Sequence, residues 1–174
     1  TSSNKYGDNN WGYCIVNAGS ENAKFIANGG VVTGIQGAIG IIDGTAVINN
    51  VTATTNNSDG YKDSFYAIYV AGETGKPSCT INGGYFSAGE RQALYVGNKY
   101  DGGEGNLAVC TVNGGTFISP TGVACVNNVL ESENNYGLGY IKINGGKFST
   151  DVSNVDGVIN CTKDKDTNLF VVNA

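Results

Sequence analysis

Cys79-Thr-Ile-Asn-Gly-Gly-Tyr-Phe86, Cys110-Thr-Val-Asn-Gly-Gly-Thr-Phe117 and Ile141-Lys-Ile-Asn-Gly-Gly-Lys-Phe148 align without a gap. Their asparagines, Asn82, Asn113 and Asn144, stand 31 residues apart twice. Self-similarity at such a spacing is the signature of a repeat architecture, in which each unit buries its apolar face only by stacking on its neighbours. Weaker copies extend the series as Cys14-Ile-Val-Asn17, Ala46-Val-Ile-Asn49 and Phe170-Val-Val-Asn173, with spacings of 32, 33, 31, 31 and 29 from Asn17 to Asn173. A second series accompanies the first: Ala67-Ile-Tyr-Val70, Ala93-Leu-Tyr-Val96, Val123-Ala-Cys-Val126 and Val158-Ile-Asn-Cys161. Each period therefore carries at least two short strands.

Alternation assigns the faces. One and three residues before each Asn the chain is apolar throughout (Val16, Ile48, Ile81, Val112, Ile143, Val172; Cys14, Ala46, Cys79, Cys110, Ile141, Phe170), so these positions point inward. Ile15, Val47, Thr80, Thr111, Lys142 and Val171 then point outward. Phe86, Phe117 and Phe148 form a third inward column. In the second series Ile68, Val70, Leu94, Val96, Ala124, Val126, Ile159 and Cys161 face in, while Tyr69, Tyr95, Cys125 and Asn160 stack outside. The Gly-Gly pair supplies positive φ at a sharp bend, and the Asn amides are placed to bond one another as a ladder.

Composition agrees. Of 174 residues, 27 are Gly and 23 Asn, with 40% hydrophobic and only 14% charged, which disfavours helices yet provides a core. The expectation is an all-β parallel β-helix, a solenoid of about five coils with a period near 31 residues over 12–174, preceded by an N-terminal cap or arm over 1–11 in which Trp11 plugs the end. Its variable loops emerge along one edge.

A net charge of −5 with a single Arg excludes nucleic acid as a partner, and no apolar run of about 18 residues exists to insert into a membrane. The absence of His removes Ser-His-Asp and Cys-His nucleophile chemistry and the commonest zinc ligand. The absence of Met reads as a processed or excised chain. Five Cys cannot all pair, and their spacings match no metal motif. Stacking brings Cys79 and Cys110 within bridging reach in principle, although small apolar thiols suit the same positions.

The T-[IV]-N-G-G-x-F pattern followed by A-[IL]-Y-V resembles the parallel β-helix repeats of pectin-lyase-like architecture found in bacterial surface adhesins and phage fibre or spike proteins. That resemblance, with crossover chirality, implies a right-handed helix. It also implies an extracellular location on a cell or virion surface, and glycan or surface-protein partners. Enzymes of this architecture set acids, calcium ligands and a basic residue on outward strand positions, as the resemblance implies. The outward columns here hold no carboxylate and one Lys, Lys142. The expectation is therefore a non-catalytic module, with a small polysaccharide lyase or hydrolase as the rival.

Tyr69 and Tyr95, with Tyr100 and Tyr136 in neighbouring loops, are the candidate ligand-binding strip, because rigid amphipathic rings stack on sugars at little entropic cost. Mutual stacking between coils is the competing role for the same rings. Asp164-Lys-Asp166-Thr-Asn168 matches the first half of a calcium loop, but Leu169 stands where its Gly belongs. No other cofactor is expected.

Asn17 and Asn173 lie close to five periods apart, so Tyr13, Cys14, Ile15 and Val16 at one end and Phe170, Val171 and Val172 at the other would be open rungs. Such edges invite end-to-end self-association, and a unit that stacks head-to-tail into an extracellular filament is the alternative function.

Overall fold

The computed structural model describes residues 13–17, 20–55, 66–71, 75–89, 91–97, 107–119, 139–155 and 158–173. Among them the chain is all-β, and every element is a short strand. In order these are β1 (Tyr13–Asn17), β2 (Lys24–Ala27), β3 (Val31–Gly34), β4 (Gly37–Ile41), β5 (Thr45–Ile48) and β6 (Val51–Thr55). There follow β7 (Ile68–Ala71), β8 (Ser78–Ile81), β9 (Gly84–Ser87), β10 (Leu94–Gly97), β11 (Ala108–Val112) and β12 (Thr116–Ile118). The chain ends with β13 (Gly139–Ile143), β14 (Gly146–Phe148), β15 (Cys161–Lys163) and β16 (Phe170–Val172).

Three sheets take these strands in rotation: β1-β4-β7-β10, β13-β11-β8-β5-β2 and β15-β16-β14-β12-β9-β6-β3. Pairing is parallel throughout, except that β16 runs antiparallel to both β14 and β15. The aligned repeats sit in register, with Ala46, Cys79, Cys110 and Ile141 side by side in the second sheet. Ala53, Phe86, Phe117 and Phe148 do the same in the third.

The expected inward positions make one core: Ile68, Val70, Leu94 and Val96 from the first sheet, Ile48, Ile81, Val112 and Ile143 from the second, and the Phe column from the third. The rings of Phe86, Phe117 and Phe148 stack at centroid distances of 4.9 and 5.2 Å. Cys79 and Cys110, adjacent and buried in this core, are thiols.

At the bend after each second-sheet strand the Asn side chains bond in series. Asn144 Nδ2 donates to Asn113 Oδ1 (2.7 Å), Asn113 to Asn82, Asn82 to Asn49, and Asn49 to Asn28, each at 2.8 Å. The second Gly of the motif turns the chain with φ of 132° at Gly84, 115° at Gly115 and 133° at Gly146. A Cβ at Gly84 would also run into the Val51 carbonyl oxygen, so the close approach of neighbouring bends requires Gly there twice over.

Both ends depart from the expected series. Tyr13–Asn17 does not share a column with Ala46 and Cys79: β1 belongs to the first sheet, Ile15 beside Ile39, and Ile15 rather than Cys14 faces the core. The column continues through β2, Phe25 beside Ala46, and its bend is Asn28-Gly29-Gly30. Asn17 instead ties down the next turn, donating from Nδ2 to the Asp43 carbonyl (2.9 Å) while its own carbonyl accepts from Ile42 N.

At the other end, Val158–Cys161 does not continue the first sheet. Val155 N donates to the Val152 carbonyl and Val158 N to the Val155 carbonyl; Val152, Val155 and Val158 pack against the core, while Ile159 is 89% exposed. Cys161 opens a hairpin. Phe170, Val171 and Val172 thus form no open rung, because β16 lies between β14 and β15 with both edges taken.

Candidate functional site

Tyr69 and Tyr95 project from the first sheet away from the core, as alternation requires, but they do not make an open strip. Tyr69 is 1% exposed and Tyr95 half-buried, within a separate cluster that also holds Tyr13, Tyr66 and Ala71. The rings stack at 5.6 Å (Tyr13–Tyr69), 5.6 Å (Tyr66–Tyr69), 5.3 Å (Tyr69–Tyr95) and 4.6 Å (Tyr66–Tyr95). Room for the Tyr13 ring comes from β4, where it occupies the place a Cβ at Gly37 would take and lies close against Gly40. Arg91, exposed, holds its guanidinium 6.0 Å above the Tyr66 ring. Burial first, and then the neighbouring Tyr66, push the Tyr95 phenol up to about 12. Tyr69, 1% exposed, stacks with Tyr13, Tyr66 and Tyr95, which leaves little of it to offer a ligand. Tyr100 and Tyr136 lie outside the described residues, as do the 1–11 cap and Trp11.

Asp164 and Asp166 belong to the turn joining β15 to β16. Asp164 Oδ1 accepts from the backbone N–H of Asp166 and of Thr167, both at 2.9 Å, and Asn168 adopts φ 59° to close the turn. These bonds, Thr167 foremost, with Lys147 nearby, hold the Asp164 carboxyl below its ordinary range. Among the described residues no group of three His, Cys, Asp or Glu side chains could hold a metal ion. The D-K-D-T-N stretch forms the hairpin turn between β15 and β16, and its first Asp caps backbone N–H groups.

Among the described residues the exposed aromatic rings lie elsewhere. Tyr85 and Tyr140 are each 42% exposed, on the outer faces of β9 and β13. Both were legible: Tyr85 is the variable residue of Asn-Gly-Gly-x-Phe, beside the inward Phe86, and Tyr140 stands two residues before the outward Lys142. Register sets Tyr140 beside Val109 and Lys142 beside Thr111. Tyr85, Thr116 and Lys147 form a column on the adjoining sheet.

Charge is segregated along the chain. The sixteen strands contain Lys24, Lys142, Lys147 and Lys163 and no acid, although the chain as a whole is acidic. The described acids, Glu21, Asp43, Asp151, Asp164 and Asp166, all sit between strands.

No family model, curated protein or solved structure matches this chain.

Proposed function

We propose that the chain is a right-handed parallel β-helix whose coils, each near 31 residues, make a rigid non-catalytic module displayed outside the cell or virion, where its lateral surface binds a glycan or a surface protein. The observation that carries this reading is the in-register repetition of one residue type per column. Five Asn amides and three Phe rings stack on successive strands. A column of that kind gains nothing within one coil and stabilises only a stack. The product is a stiff body with hydroxyl, amide and tyrosine side chains on its outer faces and its described acids between strands. That inventory suits recognition, since among the described residues no outward strand position supplies the paired carboxylates that glycoside hydrolysis requires.

The test is a screen of immobilised glycans and surface proteins with the pure protein, alongside a reducing-end assay on the same polysaccharides. Binding without release of new reducing ends is expected. Cleavage of a polysaccharide would replace this reading with an enzymatic one, and the absence of any binding would remove it.

A further inference from the structure

We infer that the outer face of β13, with its neighbour β11, is a binding site for an acidic saccharide. This rests on the glycan-binding reading above and gives it a place and a ligand class. Tyr140 and Lys142 alternate with the buried Ile141 and Ile143 on the outer side of β13, and Asn144 follows at the bend that ends the strand. Tyr140 is 42% exposed, Lys142 is exposed, and Asn144 stands half-exposed at the end of the amide ladder, its Nδ2 bonded to Asn113 Oδ1 at 2.7 Å. Two residues of strand span about 7 Å, so the row from the ring to the amide runs about 13 Å, longer than a single pyranose ring. Beside it on β11 lie Val109 next to Tyr140 and Thr111 next to Lys142.

Each member supplies a different contact. The Tyr140 face, extended by Val109, packs against the C–H face of a sugar ring. The Thr111 hydroxyl and the second N–H of the Asn144 amide meet sugar hydroxyls. The Lys142 ammonium takes a carboxylate in a charge-assisted hydrogen bond. An acidic ligand is favoured over a neutral one by the charge placement, since no described strand position carries an acid that would repel it. Lys147, just past the Asn144-Gly145-Gly146 bend, adds a second cation whose field is shared with Asp164. A uronate-bearing and a sialate-bearing sugar present the same carboxylate chemistry here. The exposed ring beside an amide and a hydroxyl favours a sugar over an acidic peptide.

The experiment titrates the protein with trigalacturonate, sialyllactose, neutral galactotriose and a poly-glutamate peptide, following binding by calorimetry. At least one acidic sugar should bind, the two probes distinguishing uronate from sialate. Tyr140→Ala and Lys142→Gln should each weaken that binding about fivefold or more. Lys24→Gln, at the far edge of the same sheet, should leave it unchanged. Both test positions are exposed, and unchanged thermal melting verifies that the variants fold. Equal weakening by Lys24→Gln, equal affinity for poly-glutamate, or preference for the neutral trimer would overturn the inference. Saccharide binding indifferent to Tyr140 and Lys142 would overturn this site and leave the glycan-binding reading standing, whereas failure of every saccharide here and in the wider screen would remove both.

Discussion

Asn113 accepts from Asn144 at 2.7 Å and donates to Asn82 at 2.8 Å, so one side chain bridges two neighbouring bends. Replacing it with Ala deletes both bonds in a partly solvated row. Asn113→Ala is expected to cost about 1–2 kcal/mol, read as a lower urea midpoint at unchanged slope. These positions were legible because amide and glycine leave a fixed spacing in the chain. Asn28 escaped because it stands 21 residues before Asn49, off the regular interval, although Asn28-Gly29-Gly30 is itself a copy of the bend. At Tyr95 the phenol, pushed up to about 12 from an ordinary 10.0, yields a pH prediction. Above 10 the unfolded chain releases a proton that the folded chain keeps, so the stability present below that pH is lost as pH rises towards 12. Denaturation midpoints taken stepwise across this window should fall, and Tyr95→Phe should flatten the fall.

Among the elements, the hairpin of β15 and β16 matters most, because it ends the parallel pairing of the third sheet. Alternation in Phe170-Val-Val-Asn173 suggested one more copy of the repeat, yet the direction of a strand is not written in its own residues. It is set by the turn before it, where Asp164 accepts the N–H groups of Asp166 and Thr167 and Asn168 takes a left-handed backbone. As β16 has partners on both sides, Val171→Pro removes a backbone donor from the middle of a sheet. Faster hydrogen exchange over β14, β15 and β16 is expected, with exchange over β5 and β6 unchanged. Equal exchange in the variant would mean that the hairpin contributes little to closing this sheet.

At the scale of the whole molecule, what the sequence made legible is the middle and what it hid are the ends and the coverings. Strands β5, β8, β11 and β13 pair in the order and register that the aligned repeats give them. Alternation placed Tyr69 and Tyr95 outside the core correctly, but it carries no information about the second layer, in which Tyr13 and Tyr66 cover them. Tyr85 and Tyr140 obey the same rule and are each 42% exposed. The two ends also differ: among the described residues β1, β2 and β3 pair on one side only, and so do β10 and β13 at the other end, where the third sheet alone finishes in an antiparallel hairpin. A parallel filament would have to add its next strand to that sheet past β15, which runs parallel to β14 but is separated from it by the antiparallel β16.

The central claim, that successive coils stack in register, is tested most directly by inter-strand nuclear Overhauser contacts in the labelled protein. The account predicts an unbroken chain of contacts from Val47 to Thr80, Thr80 to Thr111 and Thr111 to Lys142, joining strands about 4.8 Å apart. Contacts that instead pair any of these strands antiparallel, or one residue out of step, would contradict it.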